Sequence, residues 1–223
     1  QALSGAADVQ IILNAGDKVL AVDPISGIVL APDQVTVQDG RVSVAMTLGQ
    51  HEMKILYTAE TSKLGSDTAG LMKAAVRATE EIHHAAVWEL ELPDGRLISC
   101  EANDLPDPRE LLGYAFYGKL VYRTTGTFYE QRPKLLDLGK VSDCCEATLN
   151  GKNLGKRLAA PYLYDVRDEV RAGVNELVVE VYTSAVNIKN EKSIFGIPLD
   201  ALNALPYALV EPMGISGQVK WLS

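Results

Sequence analysis

Neighbouring carboxylates are the residues of this chain whose types and spacing could do hydrolytic chemistry. Among 29 acidic residues, Asp104 lies close to Asp107, and Glu80 is followed by Glu81. Two carboxylates can share the acid and base roles of glycoside hydrolysis, provided that the fold holds them at a set separation. A sequence does not supply that separation, and close pairs arise by chance among so many acids. We therefore predict no catalytic residues in this chain.

Two short segments come near known phosphate and nucleophile motifs and miss an essential residue of each. GKNLGK, at residues 151–156, is one residue short of a P-loop and lacks the Ser or Thr that holds Mg²⁺. GISGQ, at residues 214–218, lacks the last glycine of a nucleophile elbow. Neither segment predicts a catalytic site.

Histidine and cysteine, the usual zinc ligands, are not spaced as a metal site. His83 and His84 are adjacent, so their side chains diverge on a helix or a strand, and His51 is the remaining histidine. Cys144 and Cys145 have no second pair at ligand spacing. We therefore predict no metal site and no cofactor.

The charge balance argues against polyanionic partners. The formal net charge is -8, and neither a phosphate backbone nor an acidic lipid surface attracts a net negative protein. No apolar run approaches the length that spans a bilayer. We predict no nucleic-acid partner and no membrane partner.

The three cysteines are poorly placed for a disulfide framework. Their number is odd, and Cys144 and Cys145 are adjacent in a predicted strand, where their side chains point to opposite faces. This pattern leaves the location open and favours the cytoplasm over the periplasm or secretion. Because the chain begins with Gln1 rather than methionine, we expect it to start inside a longer polypeptide.

The first part of the chain, residues 1–60, is predicted to form a small antiparallel β-sandwich or a β-meander. Turn residues such as Asp39-Gly40 separate short apolar-alternating runs. In one run, RVSVAM, the side chains of Val42, Val44 and Met46 share a face, which predicts a half-buried strand. The predicted strands lie at 9–13, 18–23, 34–38, 41–46 and 52–57.

Residues 61–84 are predicted to be a linker, because ETSKLGSDTAG is polar and contains glycine. The following LMKAAVRATEEIHH fits a helical stripe, and part of it fits an extended strand equally well. Alternating patterns return at residue 85 and predict a second, larger sandwich over 85–223, with Trp88 and Trp221 in its core. Its predicted strands lie at 87–92, 118–130, 145–149, 176–183 and 217–222.

The pair Asn150-Gly151 is predicted to be a two-residue hairpin turn, which needs no ligand to explain it. Such a turn demands positive φ at both positions, and Asn-Gly supplies them at low cost. The alternation before the turn places Cys145, Ala147 and Leu149 inside the sandwich.

Four segments in the second half carry a family resemblance. They are LLGYAFYGKLVYRTTGTF (111–128), LLDLGKVSDCCEATLNGKNLGKRLAAPYLYDV (135–166), RAGVNELVVEV (171–181) and PMGISGQVKWL (212–222). In this order they resemble the galactose-binding-like jelly roll of bacterial glycoside hydrolases, especially of the α-L-rhamnosidase-like and β-galactosidase-like kind. DPISG, at residues 23–27, is similar to the turn of a small β domain that precedes the jelly roll in such enzymes.

The resemblance implies an all-β fold, with a small antiparallel β-sandwich followed by a galactose-binding-like jelly roll. It implies that the chain is the non-catalytic C-terminal part of a glycoside hydrolase of carbohydrate metabolism, with the catalytic barrel of the same polypeptide as its partner. Because related jelly rolls often hold calcium, a structural calcium ion stays open, although no loop shows the D-x-D-x-D-G pattern.

Carbohydrate contact is a further option at the loop end of the predicted jelly roll. Sugars stack on exposed aromatic faces and accept hydrogen bonds from a few polar side chains. The candidate residues are Tyr114, Tyr117, Tyr162 and Asp165, and the alternative is that these tyrosines pack at sandwich edges. A free-standing carbohydrate-binding or adhesion module is the alternative for the whole chain, and a self-sufficient hydrolase is a third.

Overall fold

The computed structural model describes residues 7–14, 16–32, 34–48, 53–60, 75–76, 80–82, 87–101, 104–113, 116–184, 193–194, 197–198 and 212–223. Within these residues the chain is nearly all β-structure, which confirms the predicted fold class. In chain order the strands are β1 (Ala7–Leu13), β2 (Lys18–Val22), β3 (Val29–Leu30), β4 (Gln34–Gln38), β5 (Arg41–Leu48), β6 (Ile55–Ala59), β7 (Val87–Glu91), β8 (Leu97–Glu101), β9 (Gly118–Phe128), β10 (Leu135–Asp137), β11 (Cys144–Leu149), β12 (Lys152–Arg157), β13 (Leu163–Asp165), β14 (Gly173–Thr183), β15 (Ser193–Ile194), β16 (Ile197–Pro198) and β17 (Lys220–Leu222).

Two three-stranded antiparallel sheets, in the orders β1-β5-β4 and β3-β2-β6, form the first part of the fold, here called the small sandwich. Strand β5 shows why they pack together. Its residues Val42, Val44 and Met46 alternate with more exposed ones and are at most 5% exposed, as the sequence predicts. They meet Val19 and Ala21 of β2 in one apolar core.

The second part, here called the large sandwich, is built on a six-stranded antiparallel sheet in the order β12-β11-β14-β9-β7-β8. The smaller sheet β13-β10-β17 contributes to the same core. The predicted core residues Trp88 and Trp221 are 1% and 4% exposed. Inward-facing residues of the six-stranded sheet that are fully buried include Leu120, Tyr122, Ala147, Leu149, Leu177, Val179 and Val181.

The predicted hairpin at Asn150-Gly151 is confirmed. Asn150 has φ 53° and Gly151 has φ 82°, the positive values that the two-residue turn between β11 and β12 requires. Cys145, Ala147 and Leu149 face the core, again as predicted.

Several local features differ from the sequence prediction. Strands β3, β8, β10, β13, β15 and β16 have no counterpart among the predicted strands, and β6 covers Ile55–Ala59 rather than 52–57. A short helix, α1 (Pro108–Leu112), was also missed, although its signals are present: the Asp107 carboxylate accepts a 2.9 Å hydrogen bond from the Arg109 amide, and Pro108 stands in the first turn.

The option of a helix within 61–84 falls largely outside the described residues. Those that are described make strand-like contacts: Val76 forms a parallel bridge with Leu30, and Glu81 an antiparallel bridge with Leu222. The domain limits 1–60, 61–84 and 85–223 remain predictions.

Candidate functional site

One end of the six-stranded sheet brings together two of the tyrosines predicted to contact carbohydrate, and it is called the tyrosine end below. Strand β9 begins at this end and β14 finishes there, with Gly118 opposite Thr183. Strand β11 also begins there, with Cys144 opposite Tyr182. Another candidate, Tyr114, lies outside the described residues.

Tyr117 is held at the tyrosine end with its side chain 64% exposed. The next residue is fixed to β14, because the Gly118 amide donates a 3.1 Å hydrogen bond to the Thr183 hydroxyl. The Phe116 ring packs so close to Gly118 that a Cβ there would lie 3.1 Å from it. Tyr117 is therefore an exposed aromatic residue between two anchored neighbours.

Tyr162 also reaches the tyrosine end, but from inside the fold. Its side chain is 5% exposed, and its hydroxyl donates a 2.6 Å hydrogen bond to the Asp143 carbonyl. The Asp143 carboxylate in turn accepts hydrogen bonds from the Ser184 amide and hydroxyl, at 2.6 and 3.0 Å. Burial raises the pKa of Tyr162 to about 12. A role for Tyr162 in sugar contact stays a prediction.

Asp165 lies at the opposite end of strand β13 from Tyr162. The strand register places Leu163 opposite Asp137 and Asp165 opposite Leu135. The Asp165 carboxylate is paired with Arg167, whose Nη2 is 2.6 Å away. The two candidates are thus separated along the strand, and the Asp165 oxygens already have a cationic partner.

Tyr182 is an exposed aromatic residue of the tyrosine end that sequence analysis missed. It is 37% exposed on the outer face of the six-stranded sheet, opposite Lys119, which follows Tyr117 by two residues. Its hydroxyl donates a 2.7 Å hydrogen bond to Glu180, which raises the pKa of Tyr182 to about 12. Lys119 lies 2.8 Å from the same carboxylate and lowers the pKa of Glu180.

The signal for Tyr182 was present in the sequence. In ELVVEVYT the alternation that buries Leu177, Val179 and Val181 also sends Glu180 and Tyr182 outward. Tyr117, Lys119, Glu180 and Tyr182 lie near the same end of the sheet and offer aromatic faces, donors and acceptors. These are the groups that a carbohydrate ligand requires.

Neither a metal centre nor a membrane span is found in the described part of the chain. No group of three or more His, Cys, Asp or Glu side chains there is arranged to hold a metal ion. No helix among those residues is long and apolar enough to cross a bilayer.

A second feature that bears on function is an apolar cluster between the small and large sandwiches, here called the joint. Ile28 follows the small sandwich's DPISG turn, Val76 belongs to the 75–76 segment, and Leu135 starts β10 of the large sandwich. These three side chains are 7%, 2% and 3% exposed. Partly buried residues packed against them are Leu30, Leu163 and Leu222.

Backbone hydrogen bonds reinforce the joint on both sides. The Val76 amide donates to the Val29 carbonyl at 2.8 Å, and the Ala31 amide donates to the Val76 carbonyl at 2.9 Å. On the other side, the Ile82 amide donates to the Trp221 carbonyl at 2.7 Å. Segments 75–76 and 80–82 therefore pair with the small sandwich and with β17 of the large sandwich respectively.

The DPISG turn directs Ile28 into the joint. The buried Asp23 carboxylate accepts hydrogen bonds from the amides of Ile25 and Ser26, at 3.1 and 2.9 Å. Gly27 has φ 72°, and the Asp23 amide then donates to the Ile28 carbonyl at 3.0 Å. This motif therefore acts in positioning, and its aspartate is fully engaged by its own turn.

Comparison with solved structures identifies the fold. A rhamnosidase from Novosphingobium sp. PP1Y is similar over 97% of this chain, with a TM-score of 0.59 and 20% sequence identity, and the match covers 21% of the rhamnosidase. A beta-glucuronidase of an uncultured Clostridium sp. matches 48% of this chain and 23% of its own, with 20% identity and a TM-score of 0.36. The match to the rhamnosidase shows that the fold of this chain recurs as a portion of a larger glycoside hydrolase.

Comparison with curated proteins gives a shorter match. The protein named "Putative beta-glucuronidase" of Formosa agariphila is 32% identical over 129 residues, which is 52% of this chain and 11% of that protein. The chain thus spans about a ninth of that relative and about a fifth of the rhamnosidase. No family model matches the chain.

Proposed function

We propose that this chain is a non-catalytic accessory part of a bacterial glycoside hydrolase, and that it braces the catalytic barrel of the same polypeptide. The observation that carries the proposal is the likeness to the rhamnosidase, which spans 97% of this chain and 21% of the enzyme. On this proposal the large sandwich is a galactose-binding-like jelly roll, as the four quoted segments suggest.

The joint supports a bracing role. A brace must transmit force between the parts it connects, so its own parts must not move freely against each other. Val76 is 2% exposed between side chains of both sandwiches, and hydrogen bonds tie its neighbourhood to β3 and to β17. This arrangement favours a stiff connector over two independently tethered modules.

Activity assays on the purified chain test the absence of catalysis. We expect no turnover of aryl rhamnosides, aryl galactosides or aryl glucuronides. Turnover that disappears when one carboxylate is replaced by its amide would contradict the proposal.

Two further tests concern the complete polypeptide. The reading frame that precedes Gln1 should encode a catalytic barrel. Weakening the joint with Val76→Asp should lower the thermal stability of the hydrolase activity.

A carbohydrate-binding module is the second candidate function, and the exposed pair Tyr117 and Tyr182 favours it. One or two stacking rings and a few hydrogen bonds must offset the cost of association. We expect a dissociation constant on the order of 1 mM, or about 4 kcal/mol. Titration with galactose, rhamnose or glucuronic acid, followed by NMR, would then shift resonances at the tyrosine end.

Matched variants test whether such binding occurs at the tyrosine end. Tyr117→Ala should abolish the saturable shifts with little change in melting temperature, because Tyr117 is 64% exposed. The control is Tyr129→Ala, since Tyr129 is 69% exposed and follows the other end of β9. Saturable NMR shifts of equal size in Tyr117→Ala and Tyr129→Ala would argue against a site at the tyrosine end.

A further inference from the structure

Strand β4, at the edge of the small sandwich, is exposed at every residue. Val35 and Val37 lie opposite Val44 and Val42 of β5, so all four belong to the inner face of the sheet. The β5 valines are fully buried, whereas Val35 and Val37 are 37% and 52% exposed. Among the described residues, the core of the small sandwich takes side chains from β1, β2, β3, β5 and β6, and none from β4. Strand β4 therefore overhangs the opposite sheet.

The edge of β4 also lacks the features that normally prevent strands from pairing. Exposed edges are usually protected by charged residues, proline or a bulge. The sequence of β4, QVTVQ, has no charge and no proline, and its register with β5 is regular. By contrast, the edge strand β12 of the large sandwich carries Lys152, Lys156 and Arg157 and has a register shift against β11.

The turn after β4 determines which backbone groups face the open edge. Asp39 and Gly40 have φ 50° and 72°, and Gln38 pairs with Arg41 across this two-residue turn. The pair that flanks such a turn is hydrogen-bonded, and bonded and non-bonded positions alternate along the strand. The N–H and C=O groups of Val35 and Val37 therefore point away from β5, towards an edge that no strand among the described residues occupies.

We propose that a second copy of this chain fills this position, with the two β4 strands antiparallel around a two-fold axis at Thr36. The sequence QVTVQ reads the same in both directions. In antiparallel pairing, Val35 faces Val37 of the second copy, Gln34 faces Gln38 of the second copy, and Thr36 faces its own counterpart. Val–Val and Thr–Thr neighbours stabilise antiparallel pairs, whereas the acidic residues that flank the strand in the sequence, Asp33 and Asp39, have the same charge and limit the affinity. A self-complementary contact of this kind is what two-fold symmetry demands.

The pairing joins two three-stranded sheets into one six-stranded sheet and places the inward-facing valines of the two copies side by side. Each copy contributes five strand residues, compared with roughly 20–30 per side in an interface of standard size. We therefore infer a weak, reversible dimer, with a dissociation constant on the order of 0.1–1 mM. The inference is independent of the proposed function.

Cysteine trapping tests the register. In the proposed pairing, Thr36 and its counterpart form a non-hydrogen-bonded pair. The two Cα atoms of such an antiparallel pair are about 4.5 Å apart, within the range that a disulfide bridges. Thr36→Cys should give a covalent dimer through the two introduced thiols under mild oxidation, identified by peptide mass spectrometry because the chain has its own cysteines. Gln34→Cys is the matched control: it lies on the same strand, but its counterpart is four positions out of register. We expect at least a tenfold difference in trapping rate between the two.

Sedimentation of the unmodified chain tests the association itself. The mean mass should rise from 24.1 kDa towards twice that value as concentration approaches about 1 mM. Val37→Lys should keep the chain monomeric, whereas Ile12→Lys, at a 63% exposed site on β1 of the same sheet, should not. A wild-type mass that stays at 24.1 kDa, with equally slow trapping of Thr36→Cys and Gln34→Cys, would overturn the proposal and leave a strand of another protein as the occupant.

Discussion

The side-chain amide of Asn150 donates a 2.8 Å hydrogen bond to the side-chain oxygen of Asn175. Asn175 is 1% exposed and satisfies its polar atoms completely. Its oxygen also accepts from the Arg171 amide at 2.7 Å, and its nitrogen donates to the Arg171 and Gly173 carbonyls, both at 2.9 Å. The Asn150 oxygen accepts from the Glu176 amide at 3.1 Å. The two asparagines thus fasten the β11–β12 hairpin to the start of β14.

Asn175→Asp is expected to destabilise the chain by about 2–4 kcal/mol at pH 7, because a buried carboxylate would face two carbonyls that the amide now satisfies. Urea unfolding measures the loss, which should shrink as the pH falls from about 7 towards 4 and the carboxyl of the folded chain becomes protonated. The control is Asn14→Asp, the same change at an exposed residue, which should stay within about 0.5 kcal/mol of wild type.

Gly151→Val should cost about 1–3 kcal/mol, since it forces a β-branched residue to positive φ. A Cβ at Gly151 would meet no atom within 4 Å, so the loss measures backbone strain alone. Gly151→Asn should cost less, because asparagine adopts this conformation more readily. Equal melting temperatures for wild type and Gly151→Val would contradict the turn assignment.

Tyr162→Ala should lower stability by about 3–5 kcal/mol, as for other buried aromatic residues. Tyr162→Phe keeps the ring and loses the hydrogen bond to Asp143, so we expect a loss of about 1–2 kcal/mol. If Tyr162 instead contacts sugar, Tyr162→Ala would abolish ligand-induced NMR shifts and leave the melting temperature nearly unchanged. Thermal unfolding and NMR titration of both variants separate these outcomes.

Cys145 should make the chain less stable between pH 9 and pH 11. Burial raises the pKa of this thiol from its ordinary 9.0 to about 11. As the pH rises, the thiol of the unfolded chain therefore loses its proton before the thiol of the folded chain does. The contribution of the protonated thiol to the free energy of unfolding is complete below pH 9. It is lost as the pH rises to about 11, which lowers that free energy by up to roughly 2 kcal/mol. The stability advantage of wild type over Cys145→Ala should shrink across this window. The difference between wild type and Cys144→Ala, at the half-buried neighbour, should change less.

Val76→Asp should uncouple the two sandwiches, because it places an unpaired charge in the joint and leaves both main cores intact. We expect calorimetry to show one unfolding transition for wild type and two for the variant. Val174→Asp, at a 66% exposed site, is the control and should unfold like wild type. A single, unshifted transition for Val76→Asp would show that the joint does not couple them.

The sequence predicts best those features whose cause is local. The β11–β12 hairpin follows from Asn150-Gly151 and from strict alternation before it, and Val42 and Val44 follow from the alternation of β5. Short elements are harder to predict. The two residues of β3 are too few to show a hydrophobic period. The sequence pattern that indicates α1 lies in its N-terminal cap rather than in an apolar stripe.

The tyrosines show why the candidate site was harder to predict than the fold. Tyr162 and Tyr117 lie in loops, where no periodicity indicates which way a side chain points, and the structure buries one and exposes the other. Tyr182 lies in a strand, so its outward direction could have been deduced from the buried Val181 beside it. The pairing of β10 with β17 and of β9 with β14 depends on distant segments and is not encoded by any local pattern.

The pairing of segment 80–82 with β17 sets an order on the folding of this chain. The hydroxyl of Ser223 donates to the carbonyl of Glu80 across 143 positions of sequence, and Ile82 pairs with Trp221 beside it. A contact between residues so far apart in sequence has a high cost in loop-closure entropy. That cost falls once local structure has formed in the chain between them. During synthesis the hairpins of both sandwiches can form as they emerge, whereas the pairing of segment 80–82 with β17 requires Trp221 to have left the ribosome. Because Trp221 also belongs to the core of the large sandwich, this pairing and that core are completed together.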